Sequence, residues 1–302
     1  MKMPVVYIIV LNYNGIGWLT TCLTTLLGTA YSNFKVLLVD NGSTDGSADF
    51  VQTTFPQVEI VQNHFNLGFS KGNNVGIERA LSAGADYVVL LNPDTKVVSN
   101  WLAKIIEAGE AEPSIGVLGA VQYCYESDEL NTWTKAAAAR HLDMLETPNA
   151  QPAWIVMDWV EGSCFAVKRE VFQRVGYLDP LYFSFYEEID FCRRAACAGY
   201  QTALVTNSRI HHHRGGIWAA RGNQQRDYLC DRGQFIYSLT DPRRSLLGNL
   251  KWWLLTFSTK LKDSLSPPDF NRLANIALIQ IFLIANLLAV YSKWRREQLL
   301  LQ

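Results

Sequence analysis

The first 110 residues alternate between short apolar runs and amphipathic segments. Four runs rich in Val, Leu and Ile cover residues 5–11, 36–39, 58–61 and 87–91. Each run is followed by a polar turn and then by apolar residues at helical spacing, as over residues 18–27. Strands buried on both faces are continuous apolar runs, and repeated strand–helix units give a mostly parallel sheet with right-handed crossovers. The pattern therefore predicts an α/β fold with a mostly parallel central sheet flanked by helices.

Polar residues ahead of the predicted helices are candidate N-caps, because a short side-chain oxygen can accept from the first free N–H groups. Ser43 or Asp45 is expected to cap the helix after the second strand. Ser99 is expected to cap a helix over residues 101–110. Further along, residues 158–172 predict a strand followed by a short helix.

Polar side chains follow three of the four runs where the strands end. They are Asn12 and Tyr13, Asp40, and Asn92 and Asp94. In open α/β sheets, ligands bind beyond the carboxyl ends of the strands. A ring can stack on a nucleobase, one acid can accept from a base N–H, and another can hold a divalent cation on the phosphates. Each Asp or Asn alone is more often a cap or turn former, but three in register favour a nucleotide site.

Composition and charge narrow the classes of function. Hydrophobic residues make up 49% of the 302 residues, which is enough for a sizeable core, and the formal net charge is −1. Duplex binding needs a surplus of Lys and Arg, so we exclude nucleic acid as the general partner. The six cysteines lie in apolar segments without metal-ligand spacing and are expected to be reduced. The N-terminus leads directly into a strand, so we expect no signal peptide and a cytoplasmic protein.

A second group of acids consists of Glu187, Glu188 and Asp190. The apolar positions that follow place these acids in the first turn of a helix, where the helix dipole also favours acids for stability alone. Adjacent acids disfavour simultaneous ionisation, which raises one pKa toward the range useful to a general base. In the strand upstream, a nearby ligand and a simple bulge explain Gly162 equally well.

Three histidines follow a short strand predicted over residues 201–205. Side chains alternate along an extended segment, so His212 is expected to face away from His211 and His213. A solvated polar run is the alternative interpretation. Further candidates beside an anionic ligand are Arg209, Arg214 and Trp218, the last of which closes over the ligand or anchors its loop.

Apolar residues show no regular helical or strand spacing over residues 123–152. We expect a ligand to be recognised by this irregular segment, because loops on a rigid scaffold carry specificity. Its candidates are Trp133, Arg140 and His141, with Trp154 just beyond. Either tryptophan can stack on a sugar face, although a tryptophan is more often part of the core.

The character of the chain changes after residue 240. From Arg243 onward there are nine Lys and Arg residues against three acids, and residues 273–291 carry no charge. A spanning helix needs about 20 mostly apolar residues, so this stretch lies at the margin. The flanking bases and tryptophans favour a helix that lies on the anionic cytoplasmic face of a membrane, with peripheral contact through residues 243–302. Formation of a homodimer through this helix is the alternative.

Several motifs together resemble one family. They are VLNYNG (residues 10–15), VDNGSTDG (39–46), NLGFSKGNNVG (66–76), LLNPDT (90–95), VEGSCFAVKREVF (160–172) and FYEEIDFCRR (185–194). Their order is similar to that of the inverting family 2 glycosyltransferases of GT-A fold, with rhamnosyltransferase-like members of bacterial polysaccharide assembly the most similar. The resemblance covers about residues 4–240.

The resemblance implies roles for particular residues. Asp40 would contact the nucleobase, on which Tyr13 packs, while Asp94 and His212 would hold Mg²⁺ or Mn²⁺ on the diphosphate. Glu188 would be the catalytic base, with Glu187 as the second choice. The remaining residues implied to lie near the donor are Asn12, Gly68, Asn73, Asn92 and Gly162. Asn92 stands where many relatives have an acid, and Asn73 stands where they often have Arg.

The implied activity is transfer of a sugar from a nucleoside diphosphate, such as dTDP-rhamnose or a UDP-sugar, to a glycan or lipid-linked acceptor. The implied organisation is a GT-A domain over residues 1–240, with a nucleotide-binding half (1–122) and an acceptor half (123–240), and a basic helical extension over 241–302. A non-catalytic sugar-binding or scaffold protein would have lost Asp94 or the acids at 187–190. A nucleotide-sugar pyrophosphorylase would need a Gly-rich phosphate loop, which does not follow Leu11.

Overall fold

A mixed sheet forms the centre of the fold in the computed structural model, which describes residues 3–141, 145, 153–213 and 223–301. Its strands are β1 (Val6–Asn12), β2 (Phe34–Asp40), β3 (Glu59–Gln62), β4 (Tyr87–Leu91), β5 (Thr95–Val97), β6 (Ile115–Cys124), β7 (Trp154–Met157), β8 (Cys164–Lys168) and β9 (Gln201–His212). The spatial order is β3-β2-β1-β4-β8-β6-β9-β5, and β7 also pairs with β9. Strands β5, β7 and β8 run against the other six. The predicted α/β fold with a mostly parallel sheet is confirmed.

The helices cover both faces of this sheet. They are α1 (Ile16–Leu27), α2 (Ser47–Thr54), α3 (Gly68–Ser82), α4 (Trp101–Ala111), α5 (Thr132–Ala137), α6 (Arg169–Val175), α7 (Glu187–Cys197), α8 (Asn223–Leu239), α9 (Leu246–Leu265), α10 (Phe270–Ala285) and α11 (Leu287–Gln298). Alternate residues of β1 enter two separate cores: Ile8 packs with α1, α2 and α4, whereas Ile9 packs with α3, α6 and α7. All six cysteines are free thiols, and three of them are buried.

Of the two predicted N-caps, Ser99 differs from the structure, whereas Asp45 accepts from the first N–H of α2 from a position one residue before the cap residue Gly46. Helix α4 begins after Asn100, and Ser99 instead donates from Oγ to the carbonyl oxygen of Gly28 at 3.3 Å, so the Ser99 cap was wrong. Asp45 accepts from the N–H of Ser47, which opens α2, and also from the N–H of Ile16, which opens α1. One carboxylate therefore satisfies the beginnings of two helices.

Strand β9 is longer than the sequence predicted. It continues past Val205 to His212, because its second half pairs with β5 as well as with β6. The register places Thr95 opposite His212. As a result, residues from the turn after β4 and from the end of β9 lie side by side, although more than 100 positions separate them in the chain.

The uncharged stretch 273–291 does not form one helix, so that prediction was wrong. Asn286 ends α10 and precedes α11; its backbone N–H and side-chain Nδ2 both donate to the carbonyl oxygen of Phe282. The side-chain donor competes with continuation of the helical hydrogen bonds. Within the described residues, no individual helix has the length and hydropathy to cross a bilayer; α10 and α11 meet that requirement only as a pair, bent by 70°.

A cluster of buried charges joins α11 to α7. Lys293 is 1% exposed and its Nζ lies 2.9 Å from Asp190 Oδ1 and 3.2 Å from Asp179 Oδ2, and it also pairs with Glu297. Asp190 accepts from Arg193 and Arg194 as well, at 2.9 Å each. Burial would raise the pKa of Asp190, but Lys293 and Arg194 lower this pKa below its ordinary value. The charges of the C-terminal helix therefore compensate those of the helix that carries Glu187 and Glu188.

We expect the Lys293→Met variant to be less stable than the wild type by about 3 kcal/mol or more in free energy of unfolding, because removing one partner leaves buried carboxylates uncompensated. Urea denaturation followed by circular dichroism measures the difference. Lys251→Met is the matched control, since Lys251 is exposed on α9. A loss within about 0.5 kcal/mol for Lys293→Met, the range of ordinary surface substitutions, would contradict a structural role for the cluster.

Candidate functional site

A cleft of about 530 Å³ opens beyond the carboxyl ends of β1 and β4. Its walls come from the turns after these strands, the start of α3, the segment before β8 and the start of α7. The predicted site residues in its lining are Tyr13, Gly68, Asn92, Asp94, Gly162, Glu187, Glu188 and His212. The fold thus brings together the residues predicted to act on a donor and on an acceptor.

Three predicted donor contacts lie behind this lining. The Asp40 carboxylate is 3% exposed and accepts from the N–H of Ser43 and from Asn12 Nδ2. Asn12 is fully buried, and Asn73 donates to the carbonyl oxygen of Phe69 in its own helix. The polar groups at the ends of β1 and β2 therefore form hydrogen bonds within the protein. Direct contacts of Asn12, Asp40 and Asn73 with the donor stay predictions.

Asp94 and His212 face each other across the paired strands β5 and β9. Asp94 Oδ1 lies 3.3 Å from His212 Nε2, and both side chains are almost fully buried. Asn92 Nδ2 lies 3.5 Å from the same ring nitrogen. Among the described residues, no donor makes a hydrogen bond to Asp94 Oδ1. An uncompensated buried carboxylate oxygen is costly, so this atom calls for a cation or a proton.

Gln122 orients the imidazole of His212. Its Oε1 lies 3.2 Å from His212 Nδ1 and also accepts from Asn131 Nδ2 at 3.2 Å. An oxygen acceptor opposite Nδ1 favours the tautomer with the proton on Nδ1, which leaves a lone pair on Nε2. Two acceptors then face one another at 3.3 Å, an arrangement that fits a divalent cation between them.

The protein supplies only part of a coordination shell at this point. Among the described residues, no group of three or more His, Cys, Asp or Glu side chains surrounds a single metal position. Mg²⁺ in particular keeps waters and binds through one or two carboxylates together with substrate phosphates. Asp94 and His212 therefore fit a cation that arrives with a phosphate-bearing ligand.

A strained turn presents the acids of α7 to the cleft. Phe185 and Tyr186 both have positive φ values, 69° and 75°, in a region that residues with a side chain rarely occupy. Gly233 on α8 makes room for this turn, since a Cβ there would lie 2.8 Å from the carbonyl oxygen of Phe185. Glu187 and Glu188 follow immediately as the first residues of the helix.

The two acids have different electrostatic environments. Burial raises the pKa of Glu188 to about 7, and the nearby carboxylate of Glu161 raises it as well. Burial raises the pKa of Glu187 well above its ordinary value, with the charge of Glu188 as a second cause. The raised pKa of Glu187 favours its neutral form. Glu188, with a pKa of about 7, can take up and release a proton near neutral pH, which is the property that a general base needs.

Gly68 and Asn41 hold the donor side of the cleft against the α7 side. Gly68 has a φ of 81°, and a Cβ there would lie 2.5 Å from the carbonyl oxygen of Phe183. Asn41 donates from Nδ2 to the carbonyl oxygen of Gly68 and accepts at Oδ1 from the N–H of Leu67. Only glycine allows this close approach, so Gly68 contributes backbone geometry.

Aromatic rings form part of the cleft wall. Trp133 and Trp159 both line the cleft, with ring centroids 5.2 Å apart. Glu161 lines it beside Gly162, where a Cβ would make ordinary contacts with Phe69 and Glu188. Trp154 packs against the core and, with Arg140 and His141, is not part of this lining.

The neighbouring histidines face the other way, as the alternation along β9 predicted. His211 lies 3.0 Å from the carbonyl oxygen of Cys124, and His213 packs on the ring of Trp18. The guanidinium of Arg209 lies 5.4 Å from the centre of the Tyr123 ring. Arg214 and Trp218 lie outside the described residues.

Sequence reasoning missed several residues of the site: Asn41, Gln122, Trp159, Glu161 and Arg226. Asn41 belongs to a quoted motif, so its place after β2 was a usable signal. Gln122 and Trp159 gave none, because Gln122 lies within an apolar strand and Trp159 lies in the segment 158–172, whose pattern predicted only a strand and a short helix.

Known proteins resemble this chain in sequence and in fold. The model of the family described as Glycosyl transferase family 2 matches residues 7–176. An N-acetylglucosaminyl-diphospho-decaprenol L-rhamnosyltransferase of Mycobacterium tuberculosis is 26% identical over 264 residues, which cover 77% of this chain and 81% of that protein. The low-salt glycan biosynthesis hexosyltransferase Agl10 of Haloferax volcanii is 24% identical, covering 62% of this chain and 60% of its own length.

Two solved structures have a similar fold. The mannosyltransferase PcManGT of Pyrobaculum calidifontis, in complex with GDP-Man and Mn²⁺, has a TM-score of 0.62 at 17% identity and covers 100% of this chain and 86% of its own. S. aureus TarS 1–349 in complex with UDP has a TM-score of 0.59 at 14% identity, covering 97% and 89%. At these identities the likeness shows the fold.

Proposed function

The chain belongs to glycosyl transferase family 2, and from this premise we propose that it transfers a sugar from a nucleoside diphosphate to a hydroxyl of a glycan or lipid-linked acceptor, with inversion at the sugar carbon. The observation that carries the proposal is the shared cleft. This cleft contains Asp94 and His212, which are arranged to bind a cation, and Glu188, whose pKa is raised to about 7.

We propose that Glu188 removes the proton from the acceptor hydroxyl as that oxygen attacks C1 of the donor sugar from the face opposite the diphosphate. A single base suffices, because a nucleoside diphosphate leaves as an anion and needs no protonation by a second acid. Mg²⁺ or Mn²⁺ bound by Asp94 and His212 would supply charge stabilisation to the departing diphosphate. Tyr13 and the turn at Asn41 would bind the nucleotide, while Trp133 and Trp159 would stack on sugar faces.

The donor we propose is a nucleoside-diphosphate deoxyhexose such as dTDP-rhamnose, with UDP-sugars as the second class. The support is a relative named as a rhamnosyltransferase that acts on a lipid-linked N-acetylglucosaminyl diphosphate, which also motivates a lipid-linked acceptor. Neighbours in fold carry GDP-Man or UDP, so dTDP-, UDP- and GDP-sugars all belong in the donor panel.

Transfer assays with a panel of nucleotide sugars, with Mn²⁺ and after its removal by EDTA, test the proposal. We expect turnover of one donor class, loss of turnover with EDTA and recovery on adding Mn²⁺. Proton NMR of the product should show the anomeric configuration opposite to that of the donor. A product with retained configuration would contradict the single-base mechanism, and Mn²⁺-promoted donor binding without turnover for any acceptor would favour a sugar-binding scaffold.

We further propose peripheral contact with an anionic membrane surface through α9–α11. Large apolar side chains are exposed along these helices: Leu247, Leu254, Leu255, Ile281, Ile284, Leu287 and Leu288. Exposed bases, including Arg243 and Arg295, lie on the same helical extension. Apolar area combined with basic charge is the composition that binds anionic interfaces.

Ile284→Asp combined with Leu288→Asp should abolish co-flotation with vesicles containing phosphatidylglycerol, because both side chains, 75% and 82% exposed, would bring charge into the interface. Asp substitutions at Thr53 and Ser82, exposed on α2 and α3, add the same two charges to other surface helices and provide the control. Unchanged flotation would contradict membrane contact. A wild type that is dimeric without lipid, and monomeric with the two substitutions, would identify a homodimer surface instead.

A further inference from the structure

A second cavity, of about 620 Å³, lies between α3, the segment before α7 and the C-terminal helices. It adjoins the catalytic cleft, because Asn66 and Phe183 line both. This groove, which we name the basic groove, is lined by four cationic side chains, Lys71, Arg232, Lys293 and Arg296, and by one carboxylate, Asp179. The positive charge of the basic groove therefore favours binding of an anion. Only the side chains shared by the two cavities, such as Phe183, would separate this anion from the cleft proposed to bind the donor.

Arg232 is the residue without a compensating carboxylate. In the described part of the chain, no acid lies within salt-bridge distance of its guanidinium, which instead lies 4.7 Å from the ring centre of Phe282 and 5.8 Å from that of Tyr228. Burial lowers the pKa of Arg232. A half-buried guanidinium that lies near two rings and shares a hydrogen bond with Tyr228 keeps its other donors for a planar or tetrahedral oxyanion.

The other cations of the groove differ in availability. Lys293 is occupied by three carboxylates of the buried cluster. Arg296 shares Asp179 with it at 3.0 Å, but its side chain is 67% exposed and can turn toward a ligand. Lys71 is exposed on α3. Arg232, Arg296 and Lys71 thus provide positive charge in excess of the carboxylate present.

The rim of the basic groove is apolar. Phe65 is 66% exposed at one side, and Leu288, one turn before the lining residue Ser292 on α11, is 82% exposed. An anion bound at Arg232 therefore has exposed hydrocarbon surface next to it. This combination matches a diphosphate attached to a long lipid chain, and an anion without a chain would leave the apolar rim unused.

We propose that the basic groove binds the diphosphate of a lipid-linked acceptor, with Arg232 as its principal contact. The inference rests on the proposed function and adds a site for the acceptor. The acceptor sugar, which is joined directly to the diphosphate, would pass Phe183 and reach the cleft beside Glu188. The lipid chain would lie along α10 and α11, on the face proposed to contact the membrane.

Calorimetric titration of the full chain with farnesyl diphosphate in EDTA tests this site, since EDTA prevents binding of the diphosphate through a cation at Asp94. We expect binding that Arg232→Met weakens by about tenfold or more, the usual effect of losing a charge-assisted hydrogen bond. Arg296→Gln, at a more exposed position, should weaken it less. Lys251→Gln removes the same charge from exposed α9 and should have an effect below about twofold.

Two further probes identify the source of the anion. Farnesol should bind far more weakly than farnesyl diphosphate, and so should inorganic pyrophosphate. Equal binding of farnesol would overturn the phosphate site, and equal binding of pyrophosphate would overturn the lipid assignment. Wild-type affinity in Arg232→Met, with wild-type thermal unfolding, would overturn the role of Arg232. If Arg232→Met unfolds, Arg232→Lys and Arg296→Gln together decide the matter, and wild-type affinity in both would overturn the proposal.

Assays of transfer to a soluble acceptor that lacks phosphate test the proposed glycosyltransferase function separately from the proposed acceptor site in the basic groove. Mn²⁺-dependent transfer to such an acceptor, without binding of farnesyl diphosphate, would overturn the basic groove alone. Absence of transfer with every donor and acceptor would contradict the proposed function, whichever result the titration gives.

Discussion

Glu188→Gln should lower the rate of sugar transfer by about 10²- to 10⁴-fold, the usual contribution of a general base, while binding of the nucleotide sugar stays within about twofold of the wild type. The amide keeps the size of the side chain but cannot accept the proton of the acceptor hydroxyl. Because Glu188 is the second residue of α7 and not a member of the Asp94–His212 pair, the substitution leaves the proposed cation pair unchanged. Steady-state transfer assays and calorimetric donor titrations measure the two quantities.

The pH dependence of the wild type follows from the same assignment. The pKa of Glu188 is raised to about 7, and the base is active only when deprotonated. The transfer rate should therefore rise with pH through about 7 and level off above it. A rate that falls as pH rises through this range would contradict Glu188 as the base.

Glu187→Gln distinguishes the two neighbouring acids. Burial raises the pKa of Glu187 well above its ordinary value, which favours the neutral form of this side chain and makes an amide a close substitute. We expect this variant to retain most of its activity. Loss of transfer in Glu187→Gln together with its survival in Glu188→Gln would move the base by one residue.

Asp94→Asn should weaken Mn²⁺-dependent binding of the nucleotide sugar by about 10- to 100-fold, and transfer should be lost with it. The amide replaces the anionic oxygen that lies 3.3 Å from His212 Nε2 and that lacks a hydrogen-bond donor among the described residues. A neutral oxygen is a poorer ligand for a hard cation than a carboxylate. Calorimetric titration with donor, with and without Mn²⁺, measures the effect.

Asp128→Asn is the matched control for this prediction. Asp128 is 98% exposed and lies near His211, on the side of β9 that faces away from the cleft. The substitution makes the same chemical change without reaching the proposed cation position, so donor affinity should match that of the wild type. Equal Mn²⁺-dependent affinity in Asp94→Asn and in the wild type would remove Asp94 from the metal site.

The sheet could be predicted from the sequence because its strands are buried on both faces. Every residue of β4 is buried, and such a strand is necessarily a continuous apolar run. The turns beyond β1, β2 and β4 were predictable for the same reason, since polar residues end each run. The proximity of Asp94 and His212 depends on the register of β5 with β9. The family resemblance predicted that these two residues act together, whereas the periodicity of either segment did not.

The remaining features depend on contacts that no local pattern encodes. Asp40 lies behind the cleft lining because the turn after β2 folds back on its carboxylate. The helix break at Asn286 lies within an apolar stretch and is accompanied by a hydrogen bond from Asn286 Nδ2 to the carbonyl oxygen of Phe282. From the sequence, Lys293 is expected to be one of the exposed bases of the C-terminal extension. It is buried in the structure, where Asp190, 103 positions earlier, compensates its charge.

These long-range contacts also connect the C-terminal helices to the site. A basic, apolar extension predicted only a surface function. The structure shows in addition that α11 packs its charges against α7, the helix that begins with Glu187 and Glu188. The extension is therefore part of the structure that positions the cleft.

A crystal structure of the chain with Mn²⁺ and a non-hydrolysable nucleotide sugar tests the central claim most directly. Anomalous scattering should locate Mn²⁺ in contact with Asp94 Oδ1, His212 Nε2 and the diphosphate, with Glu188 facing C1 of the sugar from the opposite side. Mn²⁺ and nucleotide bound in another part of the molecule, or a sugar turned away from Glu188, would contradict the account.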